Sequence, residues 1–212
     1  PLQPIDLPSA AMTDALEPSD EQLVSLSKDG SLDAFNSLVE RYQGAVYNLC
    51  LRLIGDRGLA EDAAQEAFLS AYKAIGRFQG GSIRSWLLRI AANQSKDELR
   101  RRMRRGPQES LSGPGHDDQP IDLPDSAESQ ADYVERLALG RGIQQALLSL
   151  PFEQRQAIIL SDLHGYHYEE IASIAGASVG TVKSRIHRGR ERLRGILLAE
   201  PELFGRQERL KG

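Results

Sequence analysis

An all-α chain of two small helical domains is what the sequence predicts, and three observations carry that expectation. Apolar residues recur at three- and four-residue spacing wherever they cluster, Ala and Leu dominate those positions, and alternating β-branched runs are scarce. At 212 residues, 40% hydrophobic and 26% charged, the chain has the ordinary composition of a soluble globular protein and the length for one medium domain or two small ones. Blocks of alternating charge, bounded by Pro and Gly, divide it within a net charge of −4. They place helical domains at 19–105 and 131–198, an acidic linker at 106–130, a flexible segment at 1–18 and a tail at 199–212.

Residues 1–40 hold eight acids and Lys28 as their only base. Met12 is a candidate natural start, with residues 1–11 ahead of it. Ser19 followed by Gln22 has the spacing of a capping box, so a first helix is expected from Asp20 to about Asp29-Gly30. A second runs from Leu32 to about Ile54, with Phe35, Leu38, Val39, Tyr42, Val46, Leu49 and Leu53 on one face, and Gly55-Asp56 stops it. Cys50, the single cysteine, excludes an internal disulfide and reads as a small hydrophobe between Leu49 and Leu51. A third helix, about 59–75, turns Ala63, Ala67, Phe68, Ala71 and Ile75 inward and leaves Glu61, Asp62, Gln65, Glu66 and Ser70 exposed.

A loop over Arg77–Ser82 precedes a fourth helix in which Ile83, Trp86, Leu87, Ile90 and Ala91 resume helical spacing, with Trp86 assigned to the core. From Arg84 to Arg105 eight Lys/Arg face only Asp97 and Glu98, a net +6. The five arginines between 100 and 105 exceed what a helix C-terminus needs, which favours phosphate contact over a merely solvated end. Residues 106–135 then carry eight acids and no Lys or Arg, with four prolines, and read as an extended or disordered linker. The hexamer Gln-Pro-Ile-Asp-Leu-Pro stands at 3–8 and again at 119–124 without a physical account.

The second domain opens near Ala131 with Tyr133, Leu137, Ile143, Ala146, Leu147 and Leu150 on a helix weakened by Gly140 and Gly142. Pro151 starts the next, buried through Ile158, Ile159 and Leu163. After Gly165 comes a helix-turn-helix pattern. Ile171, Ala172 and Ala175 give a short acidic-capped helix its apolar face, Gly176 supplies the turn, and Ser178 caps a long basic helix opening at Val179. Val182 and Ile186 tie that helix inward; Thr181, Lys183, Ser184, Arg185 and Arg188 face outward, as a major-groove reader requires. Residues 179–194 carry six Lys/Arg against Glu191, a net +5 inside an acidic chain. The charge alone would suit a solvated amphipathic helix equally well; the preceding helix and turn favour nucleic acid.

Enzyme and metal readings find little support. His164 and His167 lack a third ligand and are separated by Gly165, His116 and His187 have no catalytic spacing, and no phosphate-cradling glycine loop occurs. No catalytic residue, metal or cofactor is expected. The absence of an eighteen-residue apolar run and of a secretory signal points to the cytoplasm, with no direct membrane insertion.

Three stretches resemble the extracytoplasmic-function (ECF) group of bacterial sigma factors, of the sigma-70 superfamily. They are Ala60–Phe68, Ser85–Asn93 with the basic run to Arg102, and Tyr168–Ala172 followed by Gly180–Arg188 and Arg190–Arg194. One departure is His167, where that family usually has a small hydroxyl residue. The resemblance implies sigma region 2 at about 20–105 and region 4 at about 131–196. It implies that Asp62, Gln65 and Glu66 dock on the β′ clamp helices of core RNA polymerase, with the β flap as a further polymerase contact. Phe78, Gln79, Ser82 and Asn93 would then hold an unstacked minus-10 base, and Arg84, Arg89, Lys96, Arg100 and Arg101 its backbone. Thr181, Lys183, Ser184, Arg185 and Arg188 would meet the double-stranded minus-35 element, and an anti-sigma protein is the implied antagonist, able to hold the chain at the membrane. A self-sufficient helix-turn-helix regulator and a nuclease are the competing readings; the first would not need the Trp86–Arg105 helix with its loop and acidic neighbour, and the second would need clustered acids for a metal.

Overall fold

The computed structural model describes residues 18–105 and 130–199. Their regular structure is helical: α1 (Asp20–Lys28), α2 (Leu32–Ile54), α3 (Arg57–Ala74), a 3-10 turn (Ile75–Arg77), α4 (Ile83–Arg105), α5 (Gln130–Leu148), α6 (Phe152–Ile158), a π-helical segment (Ile159–Leu163), α7 (Tyr168–Ala175) and α8 (Val179–Ala199). Both copies of the repeated hexamer, most of the acidic linker and nearly all of the tail lie outside the described residues.

Local chemistry sets the helix ends. At α1, Ser19 Oγ accepts from the Gln22 N–H at 3.4 Å and Gln22 Oε1 from the Ser19 N–H at 2.8 Å, the expected reciprocal pair. Ser31 caps α2, and Gly55, at φ +79°, ends it. Asp56 accepts from the Leu59 N–H at 3.1 Å, which starts α3 two residues before the expected position. The α5 helix runs through Gly140 and Gly142 without a break and takes residues 130–135 out of the supposed linker.

In the first unit, Leu38, Leu49 and Leu53 are fully buried between α2 and its neighbours. Cys50 is buried with them, and burial pushes its thiol pKa up to about 11, in keeping with a packing role. Ala60, Ala63, Ala67 and Ala71 present a face of small side chains from α3. Trp86 departs from expectation. The buried stripe of α4 runs through Ile83, Leu87, Leu88, Ala91 and Ala92, leaving Trp86 half-buried on its flank beside Phe78.

The second unit is built on Leu147, Ile158, Ile159, Leu160, Ile171 and Val182. Leu163, expected inside, is 48% exposed, whereas Leu160 is 0% exposed. The cause is the π-helical segment, where the His164 N–H reaches back five residues to Ile159 O at 3.1 Å; the wider turn carries Leu163 off the apolar stripe. On α7, Ile174 is buried and Ala172 and Ala175 only half so.

The two units pack together, α7 on α4 and α5 and α6 on the end of α2. Arg155, at the start of α6, donates to Leu53 O of α2 and to Leu148 O and Leu150 O at 2.8 and 3.0 Å. Beside it, Gln144 exchanges hydrogen bonds with Arg52, from its side chain at 3.3 Å and to its carbonyl at 3.2 Å.

Gly189 sets the approach of α8 to α6, since a Cβ there would lie 2.9 Å from Ile158 Cγ1. Gly189→Leu should cost about 1–3 kcal/mol of unfolding free energy by forcing these helices apart. Gly195→Ala, with nothing within 4 Å of its added methyl, should instead gain up to about 1 kcal/mol through helix propensity. Urea unfolding followed by circular dichroism checks both signs.

Candidate nucleic-acid interface

The turn between α7 and α8 is fixed by Gly176 at φ +58°, with the Ala177 N–H bonded to Ala172 O at 3.0 Å. Ser178 Oγ then accepts from the Thr181 N–H at 3.1 Å and opens α8. The α7 start lacks the family's hydroxyl, but Glu170 accepts from the His167 N–H at 2.9 Å and satisfies that donor. Val182 and Ile186 point into the core as expected. Lys183 and Arg188 stand exposed, while Thr181, Ser184 and Arg185 are half-buried along the flank. Arg188 bonds Ser184 at both the carbonyl, 3.2 Å, and the hydroxyl, 3.1 Å, so its guanidinium is held along the helix. Arg190 is committed elsewhere: it grips Asp162 at 2.6 and 3.0 Å and holds that carboxyl below its ordinary range.

The loop before α4 divides the remaining candidates. Phe78 is 8% exposed and packs into the bundle. Gln79 is open, and Gly80 and Gly81, at φ +100° and +86°, form the bend that follows it. Ser82 is exposed, but its hydroxyl accepts from the Ser85 N–H at 3.2 Å and caps α4. Asn93 is open on α4. Arg100 and Arg101 lie exposed near the end of α4, each with an acid three residues back, Asp97 at 3.4 Å and Glu98 at 2.8 Å.

The other three candidates touch the second unit, Arg84 and Arg89 while remaining exposed and Lys96 half-buried. The Arg84 guanidinium lies 5.1 Å above the Tyr166 ring. Arg89 rests on the helix-turn-helix glycine, its Nη2 3.3 Å from where a Gly176 Cβ would be. Lys96 Nζ is 2.6 Å from Glu153 Oε1 and 5.6 Å from the Phe152 ring, and its hydrogen bond pulls the Glu153 carboxyl down. Next to Arg84 a small cavity opens between Leu49, Leu88 and Leu160, where His164 Nε2 and the Tyr166 hydroxyl are buried without a hydrogen-bond partner. Burial, then the charges of Arg84 and Arg52, push the His164 pKa down. Sequence reading missed Tyr166, Phe152 and Glu153 as partners, because Lys96 and Glu153 are 57 positions apart and no local pattern joins them.

On α3, Asp62, Gln65 and Glu66 project together into solvent. The same face continues through Leu69 and Tyr72, both substantially exposed, an apolar extension that the spacing from Gln65 could have revealed. Among the described residues no three His, Cys, Asp or Glu side chains converge as a metal would need, and no helix is long and apolar enough to cross a membrane.

Comparison with known proteins agrees with this arrangement. The family model for Sigma-70 region 2 matches residues 38–105, and that for Sigma-70, region 4 matches residues 141–193. The ECF RNA polymerase sigma factor SigE of Mycolicibacterium smegmatis is 37% identical over 194 residues, 87% of this chain and 72% of its own length. The RNA polymerase sigma-H factor of Pseudomonas aeruginosa is 38% identical over 177 residues, 81% of this chain and 90% of that protein. In the solved complex of the sigma factor RpoE with the anti-sigma factor NepR from Bartonella quintana, a chain covered to 98% aligns with 78% of this one at 26% identity and a TM-score of 0.58. With its sequence motifs, helical order and relatives in agreement, the chain belongs to the ECF family of RNA polymerase sigma factors of the sigma-70 type.

Proposed function

We propose that this protein attaches to core RNA polymerase through the acidic face of α3 and directs it to promoters with two separate cationic surfaces. Region 2, residues 19–105, holds the melted minus-10 strand with the 78–82 loop and α4. Region 4, residues 131–198, sets α8 into the major groove of the minus-35 element and meets the β flap. Residues 106–130 are the tether. The observation that carries this reading is the concentration of +6 over 84–105 and +5 over 179–194 in a chain of net −4. The protein acts by binding rather than by making or breaking bonds, in the cytoplasm, and an anti-sigma protein restrains it; the RpoE relative is solved with such a partner.

Promoter engagement on this reading exchanges contacts. Tyr166, Gly176 and Glu153 stand against Arg84, Arg89 and Lys96, so a DNA backbone on this face of α4 meets the second unit, and Lys96 must exchange Glu153 for phosphate.

Run-off transcription with purified core polymerase tests the function directly: added wild-type chain should create promoter-specific transcripts. Arg185→Ala should weaken minus-35 duplex binding by about 1–3 kcal/mol and lower that transcription accordingly; wild-type output would remove Arg185 from the interface. Reversing Asp62 and Glu66 to Lys should reduce core-polymerase affinity on the order of tenfold by surface plasmon resonance, with minus-35 duplex binding unchanged. Glu153→Gln should release Lys96 and raise affinity for a single-stranded minus-10 oligonucleotide on the order of threefold in fluorescence anisotropy.

A further inference from the structure

We infer that Lys28, on the helix preceding the family-matched stretch, is a positioning residue for the loop that captures the minus-10 base. The inference rests on the proposed role of that loop. The region 2 match begins at residue 38, so α1 lies upstream of it. Leu23, Val24 and Ser27 bury one side of α1 against the bundle. Its first turn is fastened to α2, where the Tyr42 hydroxyl donates to Asp20 and Arg41 Nη1 lies 2.6 Å from Asp20 Oδ1. The helix is therefore held at its start and along its length, and its last turn is a fixed platform.

From that platform Lys28 reaches 50 positions along the chain. A basic residue in the last turn ordinarily answers its own helix's carbonyls. Here the ammonium donates to Phe78 O at 2.6 Å and stands 5.7 Å from the Phe78 ring centroid, while the same ring lies 5.3 Å from Trp86. Phe78 is where the chain leaves the 3-10 turn in extended conformation, φ −67° and ψ 117°. One end of the loop is thus anchored by Lys28, and the other by the Ser82 cap of α4. Between them, Gly80 and Gly81 have nothing within 4 Å of an added Cβ, so the loop's path depends on its two fixed ends. Lys28 touches no DNA in this account. It fixes where Gln79 is presented.

The test uses full-length chain bound to core polymerase. Affinities are measured for four single-stranded oligonucleotides differing at one minus-10 position of a promoter that the wild-type holoenzyme opens. Lys28→Met should narrow the ratio between best and worst base on the order of fivefold. Minus-35 duplex affinity should stay at the wild-type value. Trp86, the only tryptophan of this chain, should report the released Phe78 through a shifted emission measured on the chain without polymerase. Lys28→Arg, which keeps the cation, should restore both base ratio and emission. A wild-type base ratio with unchanged emission in Lys28→Met overturns the positioning role while leaving the loop reading intact. A wild-type chain without base preference, or one whose preference survives Gln79→Ala, defeats the loop reading itself.

Discussion

The buried guanidinium of Arg155 is the interaction on which this architecture depends. Two helices, α2 and α5, end side by side, and each leaves carbonyls that no residue of its own helix can satisfy. Arg155 answers both ends at once, through Leu53 O on one side and Leu148 O and Leu150 O on the other. A cation is favoured at both helix C-termini, and those bonds offset the desolvation that comes with its 7% exposure and pulls its pKa down. The junction also demands Gly55, at positive φ and so close to Leu148 that a Cβ would lie 2.4 Å from Cδ1. With these ends joined, α6 is fixed, and α7 falls across α4.

That placement gives the cationic face of α4 a protein partner with the chemistry of nucleic acid. Glu153 offers Lys96 an anionic oxygen, as a phosphate does, and Tyr166 offers Arg84 an aromatic face, as a base does. Part of the proposed DNA surface is therefore contacted within the chain, and at Lys96 and Arg84 exchange replaces contacts of one kind by contacts of the same kind. Each exposed or half-exposed pair contributes little by itself. The exchange is consequently governed by the buried contacts around Arg155 more than by the ion pair at Lys96.

Much of the fold was legible because helix boundaries are local. Ser19 with Gln22, Gly55 with Asp56, and Gly176 with Ser178 each act within three or four residues of themselves. The inward assignments of Val182 and Ile186 followed from the same short period. Errors arose where periodicity alone could not weigh volume or backbone detail. Trp86 satisfies the spacing of the α4 stripe, yet Leu88 and Ala92 fill the interior and the indole stays on the flank. Leu163 satisfies the spacing of α6, yet a π-helical turn displaces it, and such a turn depends on how the segment packs.

The sequence by itself determined the all-helical class, the helix-turn-helix, the two cationic faces and the family, since these reside in residue type and short spacing. Tertiary structure decided which cations meet the other unit. Arg84, Arg89 and Lys96 carry the same charge as Lys183 and Arg188, but they meet Tyr166, Gly176 and Glu153 across the junction, while the latter pair contacts Tyr168 and Ser184 within its own unit. The physical reason is distance along the chain. A capping residue finds its partner by rotating a few bonds, whereas Lys96 and Glu153 meet only after two helical units have packed and a buried arginine has joined their ends.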